Sequence, residues 1–385
     1  MRVMIRFMFV VLLLSLPARM SRAGGGVYVE TNLISNNSSA AQAQIYDPNL
    51  INPWGMSYTT TGPLWVSDQG SGLSTLYGLN NPTPVTEGLV VPIPNLGGAA
   101  TSGNDGPTGQ VSTLAPGITT ASTDFQVDGS RSVFIFANLD GSISGWTPGH
   151  AAAIEASVSG ASFTGLAIGN TSTGAAEIYA ADQNSGKVYI FNSAWQQVGT
   201  LTDPNLPAGY KAFNVQNIGG HLYVTYMNPS GAGGIVDEYS TNGTLMKQLI
   251  NDTAGAHLDG AWGLAMAPTN FGKFGGDLLV GNNAGDGFIN AYNSMGVWQG
   301  QLVLNTGQNF SVNELWGLTF GNGGKAGSPD TLYFDAGLAG GTNGLIGSIN
   351  LASVPEPSTA VLGLIGSGVV LGSWKWRNRR RGVVA

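Results

Sequence analysis

Residues 262–292 read Trp262-Gly263-Leu264-Ala265-Met266, then Asp277-Leu278-Leu279-Val280-Gly281-Asn282, a Gly285-Asp286-Gly287 turn, and Phe288-Ile289-Asn290-Ala291-Tyr292. Each apolar segment is short, rich in branched or aromatic residues, and bounded by Gly, Asn or Asp, which is the pattern of strands joined by tight turns. The same unit closes the chain's middle as Trp316-Gly317-Leu318-Thr319-Phe320, Thr331-Leu332-Tyr333-Phe334-Asp335 and Gly344-Leu345-Ile346-Gly347-Ser348-Ile349. It opens that middle as Pro53-Trp54-Gly55-Met56, Leu64-Trp65-Val66-Ser67-Asp68 and Ser74-Thr75-Leu76-Tyr77. Three further copies lie between, led by Asp124-Phe125-Gln126-Val127, by Phe163-Thr164-Gly165-Leu166 and by Phe213-Asn214-Val215-Gln216.

Anchored on Trp54, Phe125, Phe163, Phe213, Trp262 and Trp316, the copies stand 71, 38, 50, 49 and 54 residues apart. Apart from the first interval these match the roughly 40–50 residues of a propeller blade. The fold class is therefore all-β, a single six-bladed β-propeller of four-stranded antiparallel blades. The long first interval falls on residues 95–117, rich in Gly, Pro, Ser and Thr without apolar alternation, and reads as an inserted loop. The sixth copy stops after its third strand near Leu351. The alternating segment Val27-Tyr28-Val29-Glu30-Thr31-Asn32-Leu33 is expected to supply the missing strand and close the ring.

The two ends read as addresses. Arg2 and Arg6, the apolar run Phe7 to Leu16 and the small-x-small site Ser21-Arg22-Ala23 make residues 1–23 a cleavable signal peptide. The C-terminus carries Val354-Pro355-Glu356-Pro357-Ser358, an apolar run over 360–374 and a basic stop of Lys375, Arg377, Arg379, Arg380 and Arg381. With the interfacial Trp374 and Trp376 this reads as a transmembrane sorting helix over 360–376, its basic end held on the cytoplasmic side. The chain thus divides into a signal peptide (1–23), a propeller (24–352) and a sorting tail (353–385). Export through the inner membrane to the cell envelope, outer surface or extracellular space is the expected route.

Composition narrows the chemistry. Without the two ends, six basic residues face twenty-one acidic ones over 24–354, a net charge of about −15. That surface repels phosphate backbones and argues against nucleic acid as a partner. No cysteine is present, so neither disulfides nor thiolate chemistry contributes. The three histidines, His150, His221 and His257, are far apart and lack ligand spacing. No G-x-S-x-G elbow, phosphate loop or H-E-x-x-H motif occurs.

The tail resembles the PEP-CTERM sorting signal, whose resemblance implies processing by an exosortase-type enzyme at the Pro-Glu-Pro motif, with Val354, Pro355, Glu356 and Pro357 as the sorting residues. The blade pattern resembles NHL and YVTN-type propellers and a bacterial family of six-bladed propellers that carry such tails. That resemblance rests on Asp47-Pro48-Asn49-Leu50-Ile51-Asn52-Pro53-Trp54-Gly55, Asp140-Gly141-Ser142-Ile143-Ser144-Gly145-Trp146, Leu206-Pro207-Ala208-Gly209-Tyr210 and Phe213-Asn214-Val215-Gln216-Asn217-Ile218. It implies fold and address, and no activity.

Candidate site residues stand at or just before the inner strands: Asn52, Asp124, Asn214, Gln216, Asp259 and Glu314. If those strand starts converge, their oxygens form an axial ring suited to Ca²⁺; otherwise they serve the neighbouring turns. The recurring Asp68, Asn138, Asp182, Asn282 and Asp335 at the ends of second strands read as turn caps. His257 and Asp259 offer a weak acid–base pair. Two functions stay open. One is a non-enzymatic module that binds exopolysaccharide or a surface protein, and the other is a Ca-dependent hydrolase or lactonase at the channel mouth.

Overall fold

A computed structural model describes residues 27–97 and 105–352. The signal peptide (1–23) and the tail (353–385), including Val354, Pro355, Glu356 and Pro357, lie outside the described residues. The described chain forms six four-stranded antiparallel blades, the sixth extended by a short fifth strand. The inner strands are Pro53–Ser57, Pro107–Ser112, Phe163–Asn170, Lys211–Ile218, Ala261–Met266 and Leu315–Phe320. Each contacts the next around the axis, and the last returns to the first.

The ring closes as the alternation of the N-terminal segment predicts. Tyr28–Ser35 pairs antiparallel with Leu345–Leu351, from Tyr28 opposite Leu351 to Ser35 opposite Leu345. Ile45–Tyr46 adds a parallel edge beyond it. Tyr28 is fully buried; its ring lies 4.8 Å from Phe271 and its Oη donates to the Phe271 carbonyl at 3.0 Å. The first strand of the domain thus locks the sixth blade to the fifth, and no open sheet edge faces the joint.

The second blade differs from its sequence reading. Its inner strand is Pro107–Ser112, inside the stretch taken for an inserted loop, while Phe125 lies in a separate insertion. That insertion carries the small hairpin Gln126–Val127 with Ser130–Arg131, and Phe125 packs edge-on against Trp195 of blade three at 5.1 Å. The physical reason is that an inner strand near the axis is hemmed in on both sides. Pro107-Thr108-Gly109-Gln110-Val111-Ser112 is small and polar, without the apolar alternation that marks a half-exposed strand. With Thr108 and Thr164 as the axial residues, the intervals from Trp54 to Trp316 become 54, 56, 49, 49 and 54.

The corrected register exposes a ring of close approaches. The residue after each axial one is Gly55, Gly109, Gly165, Asn214, Gly263 or Gly317. A Cβ added to Gly317 would lie 2.8 Å from the Trp54 carbonyl oxygen of the next blade. At Gly55, Gly109 and Gly263 it would press into the backbone of Thr108, Leu166 and Trp316, and at Gly165 into Asn214. Five glycines therefore let six inner strands stand backbone to backbone. The sixth position, Asn214, spans the joint instead, its Nδ2 donating to the Trp262 carbonyl at 2.7 Å.

Gly55→Ala should lower stability by about 1–3 kcal/mol, because the obstacle is backbone that cannot rotate away. Gly199→Ala, on an outer strand where the nearest atom is 3.6 Å away, should stay within about 0.5 kcal/mol of the parent. Urea denaturation of both variants measures this, and equal losses would refute the ring constraint.

Candidate functional site

The axial residues are unequal in size, and that inequality creates the site. Trp54 and Trp316 stack at 3.4 Å between ring centroids, Trp262 meets both edge-on at 6.3 and 5.8 Å, and Phe213 leans on Trp316 at 5.8 Å. Four aromatic rings from blades one, four, five and six thus fill the axis opposite Thr108 and Thr164. The Trp262 Nε1 donates to the Thr164 carbonyl at 2.9 Å, tying blade five to blade three across the axis. This plug lies near the ends where the inner strands enter.

Beyond it, where the inner strands leave, the axis opens into a funnel of about 550 Å³. Its floor includes Trp262; its walls come from the strand ends at Ser57, Tyr58, Val111, Ile168, Gln216 and Thr319, with Thr241 and the segment Ala115 to Ile118 at the rim. Among the described residues, no Asp, Glu, Lys, Arg or His lines it. Tyr58 donates to the Phe320 carbonyl at 2.8 Å, and burial pushes its phenol above the ordinary value. The Ser57 Oγ is buried without a hydrogen-bond partner among the described residues, and no side-chain hydrogen bond engages Gln216. Asn170 holds the rim by accepting from the Thr119 N–H at 2.9 Å and donating to its carbonyl at 2.7 Å.

The sequence-predicted residues are dispersed by this geometry. Asn52 and Glu314 do meet on the plugged face, both with positive φ (49° and 57°). A Cβ on Gly337 would contact the Asn52 Oδ1, the Glu314 Oε2 and the Trp316 Nε1. There the Glu314 carboxylate accepts from Gly340 N at 2.7 Å and Gly341 N at 2.9 Å, and the Asn52 Nδ2 donates to the Gln69 Oε1 at 2.6 Å. Asp259 lies instead beside the Gly285 turn of its own blade. Asp124 sits in the blade-two insertion, accepting from Ala121 N at 2.7 Å. Asn214 belongs to the glycine ring and lines the funnel, and Gln216 lines it too, with no side-chain hydrogen bond among the described residues. Among the described residues, no group of three or more His, Cys, Asp or Glu is placed to hold a metal ion.

The other candidates serve the scaffold. Asp182 does cap its own turn, accepting from Asn184 N and Ser185 N. Asn138 and Asn282 instead reach the loops that feed their inner strands, donating to the carbonyls of Pro94 and His257. His257 stacks on Trp298 at 4.1 Å, His221 pairs with Glu238 at 2.6 Å and His150 with Asp128 at 3.4 Å. The funnel residues Ser57 and Thr319 went unread in sequence, although each stands three positions past an axial tryptophan, as Gln216 does past Phe213.

Comparison with known proteins bears on the tail most directly. Residues 353–381 match the PEP-CTERM protein-sorting motif. The motif implies export, sorting to the cell envelope or surface, and processing of an exosortase type. Across the propeller, the chain is similar to two uncharacterised proteins of Acanthamoeba polyphaga mimivirus. R648 is 27% identical over 358 residues, covering 82% of this chain and 78% of that protein; L690 is 26% identical over 360 residues, covering 83% and 85%. Among solved structures, a protein of unknown function from Bacteroides thetaiotaomicron is 10% identical, covering 84% of this chain and 76% of that one at a TM-score of 0.49. A virginiamycin B lyase from Staphylococcus aureus is 13% identical, covering 84% and 99% at a TM-score of 0.48.

Two carboxyls at the closing joint make stability depend on pH. Asp68 and Asp335 are fully buried. Thr75 Oγ1 donates to Asp68 at 2.8 Å and Gly317 N to Asp335, yet one oxygen of each lacks a partner. Burial pushes both carboxyls well above their ordinary value of 3.8, and the Asp47 and Asp335 charges push Asp68 further. The folded state therefore holds these protons more tightly than the unfolded chain, so the contribution of these two groups to stability is complete at low pH and declines as pH rises above about 4. Asp335→Asn should flatten this decline in thermal melts run from acid to neutral pH. An unchanged slope would show that Asp335 is already ionised in the fold.

Proposed function

We propose that this protein is an exported, envelope-sorted binding module that holds a neutral stretch of extracellular polysaccharide in its axial funnel. The observation that carries the reading is the funnel's lining, which among the described residues offers amides, hydroxyls and an indole floor and no charged side chain. Neutral sugars are recognised by such a combination, since hydroxyl groups need donors and acceptors while their C–H faces pack on aromatic rings. A volume of about 550 Å³ falls within the ordinary range for small-molecule sites, enough for a short oligosaccharide. Among the described residues the lining holds no carboxylate, imidazole or amine, and the Tyr58 phenol is tied to the Phe320 carbonyl, which supports binding over turnover. The acidic surface favours neutral over anionic polymers by the same electrostatics.

The calcium-dependent hydrolase reading would need the plugged face, where Asn52 and Glu314 meet. The Glu314 oxygens are engaged by loop amides, and Ca²⁺ requires six to eight oxygen ligands. On the present reading calcium leaves the melting temperature unchanged, and a stoichiometric calcium-induced rise would favour the hydrolase.

Calorimetric titration with neutral and uronic-acid oligosaccharides tests the binding reading. Neutral ligands should bind, and Gln216→Ala should weaken them by about tenfold, the loss of one or two hydrogen bonds, with the melting temperature unchanged. Equal affinity of parent and Gln216→Ala, or a preference for uronic acids, would remove the funnel as the neutral-glycan site.

A further inference from the structure

The funnel is walled by strand edges. Each of the six inner strands is the end strand of its sheet, hydrogen-bonded to a single neighbouring strand, so every second residue turns its N–H and C=O away from that neighbour and toward the axis. Side chains take up some of these groups. The Thr164 carbonyl accepts from the Trp262 Nε1 at 2.9 Å, the Trp262 carbonyl from the Asn214 Nδ2 at 2.7 Å and the Ile168 carbonyl from the Asn217 Nδ2 at 2.8 Å. Farther from the plug, Met56 and Ser57 of the first blade and Val215 and Gln216 of the fourth bring the edges of their strands to the funnel. The Ser57 Oγ there is buried without a partner among the described residues.

Between these edges the wall is aliphatic, with Met56, Val111, Ile118 and Ile168 among its residues. A sugar that carries a hydroxyl on nearly every carbon suits the indole floor, where a C–H face can stack. It does not suit a branched aliphatic wall, against which hydroxyls lose water without gaining partners. A substituent that joins a methyl to an amide meets both features of the wall. Its methyl packs on Met56 and Ile118, while its N–H and C=O pair with the strand edges, the Ser57 hydroxyl and the Gln216 amide. We propose that the funnel selects N-acetylated sugars, the acetamido group standing where a peptide unit of a further strand would stand. The group is neutral, so the acidic surface does not repel it. This inference rests on the funnel as a neutral-glycan site and names the class of sugar it takes.

Calorimetric titration of the chain with the chitin trimer and the cellulose trimer, alike in length and linkage and differing in the acetamido groups, tests it. The chitin trimer should bind about tenfold more tightly, the combined effect of one buried methyl and one added hydrogen bond. Met56→Gln and Ile118→Thr, each close in shape to the parent side chain, should cut that advantage severalfold while leaving the affinity for the cellulose trimer near the parent's. A cellulose trimer O-acetylated at the same carbon keeps the methyl and C=O but lacks the N–H, and should fall between the two. Equal affinities for the chitin and cellulose trimers would overturn the acetamido selection and leave the neutral-glycan reading standing. An advantage that neither substitution reduces would overturn it as well, because the acetamido group would then lie outside the funnel wall. Binding of neither trimer would remove both readings.

Discussion

The close approach of six inner strands at the axis is the constraint on which the rest of this molecule depends. Strands standing side by side in a ring have no room for a Cβ where backbone meets backbone, and five of the six positions are glycine. The sixth, Asn214, turns the same closeness to use by hydrogen-bonding the Trp262 carbonyl. Immediately before these positions come Trp54, Phe213, Trp262 and Trp316, whose rings are aimed into the space that the glycines keep narrow. Burial of such rings contributes on the order of 2–3 kcal/mol each, so the same dipeptides both draw the ring together and shut one end of it.

Shutting one end divides the labour between the two faces. On the plugged face, Glu314 is spent on the amides of Gly340 and Gly341, while the buried carboxyls at the joint between the first and sixth blades each keep one oxygen without a partner among the described residues. On the funnel face, Gln216 and Ser57 keep unspent hydrogen-bonding capacity beside an apolar wall. The two ends of the described domain, Val27 and Ala352, meet on the funnel side.

Much of this was legible in the sequence where side chains alternate against a half-buried sheet. The Trp-Gly pairs, the turn residues and the missing last strand gave the blade number and the closure by Tyr28–Ser35. Blade two was misread because Pro107–Ser112 is enclosed on both sides and carries no apolar period, while Phe125 mimics an anchor from a separate hairpin. The dispersal of the candidate axial ring was hidden for a related reason. Asn52, Asp259 and Glu314 precede inner strands and Asp124 precedes a hairpin that mimics one, but whether strand entries converge depends on what fills the axis. Three tryptophans and a phenylalanine do so, and their direction is a tertiary property that spacing does not carry. The sorting motif is different, since it is an address written in local sequence, and it was readable in full.

The central claim is that the open end of the axis is the working surface. Amide hydrogen exchange on the chain with and without a neutral matrix oligosaccharide tests it most directly, because it reports every segment at once. Added protection at residues 215–217, 317–319 and the rim 115–119, with none at 337–341 on the plugged face, is the result this account predicts. Protection centred on 337–341 or on the outer strands, with the funnel segments unchanged, would contradict it.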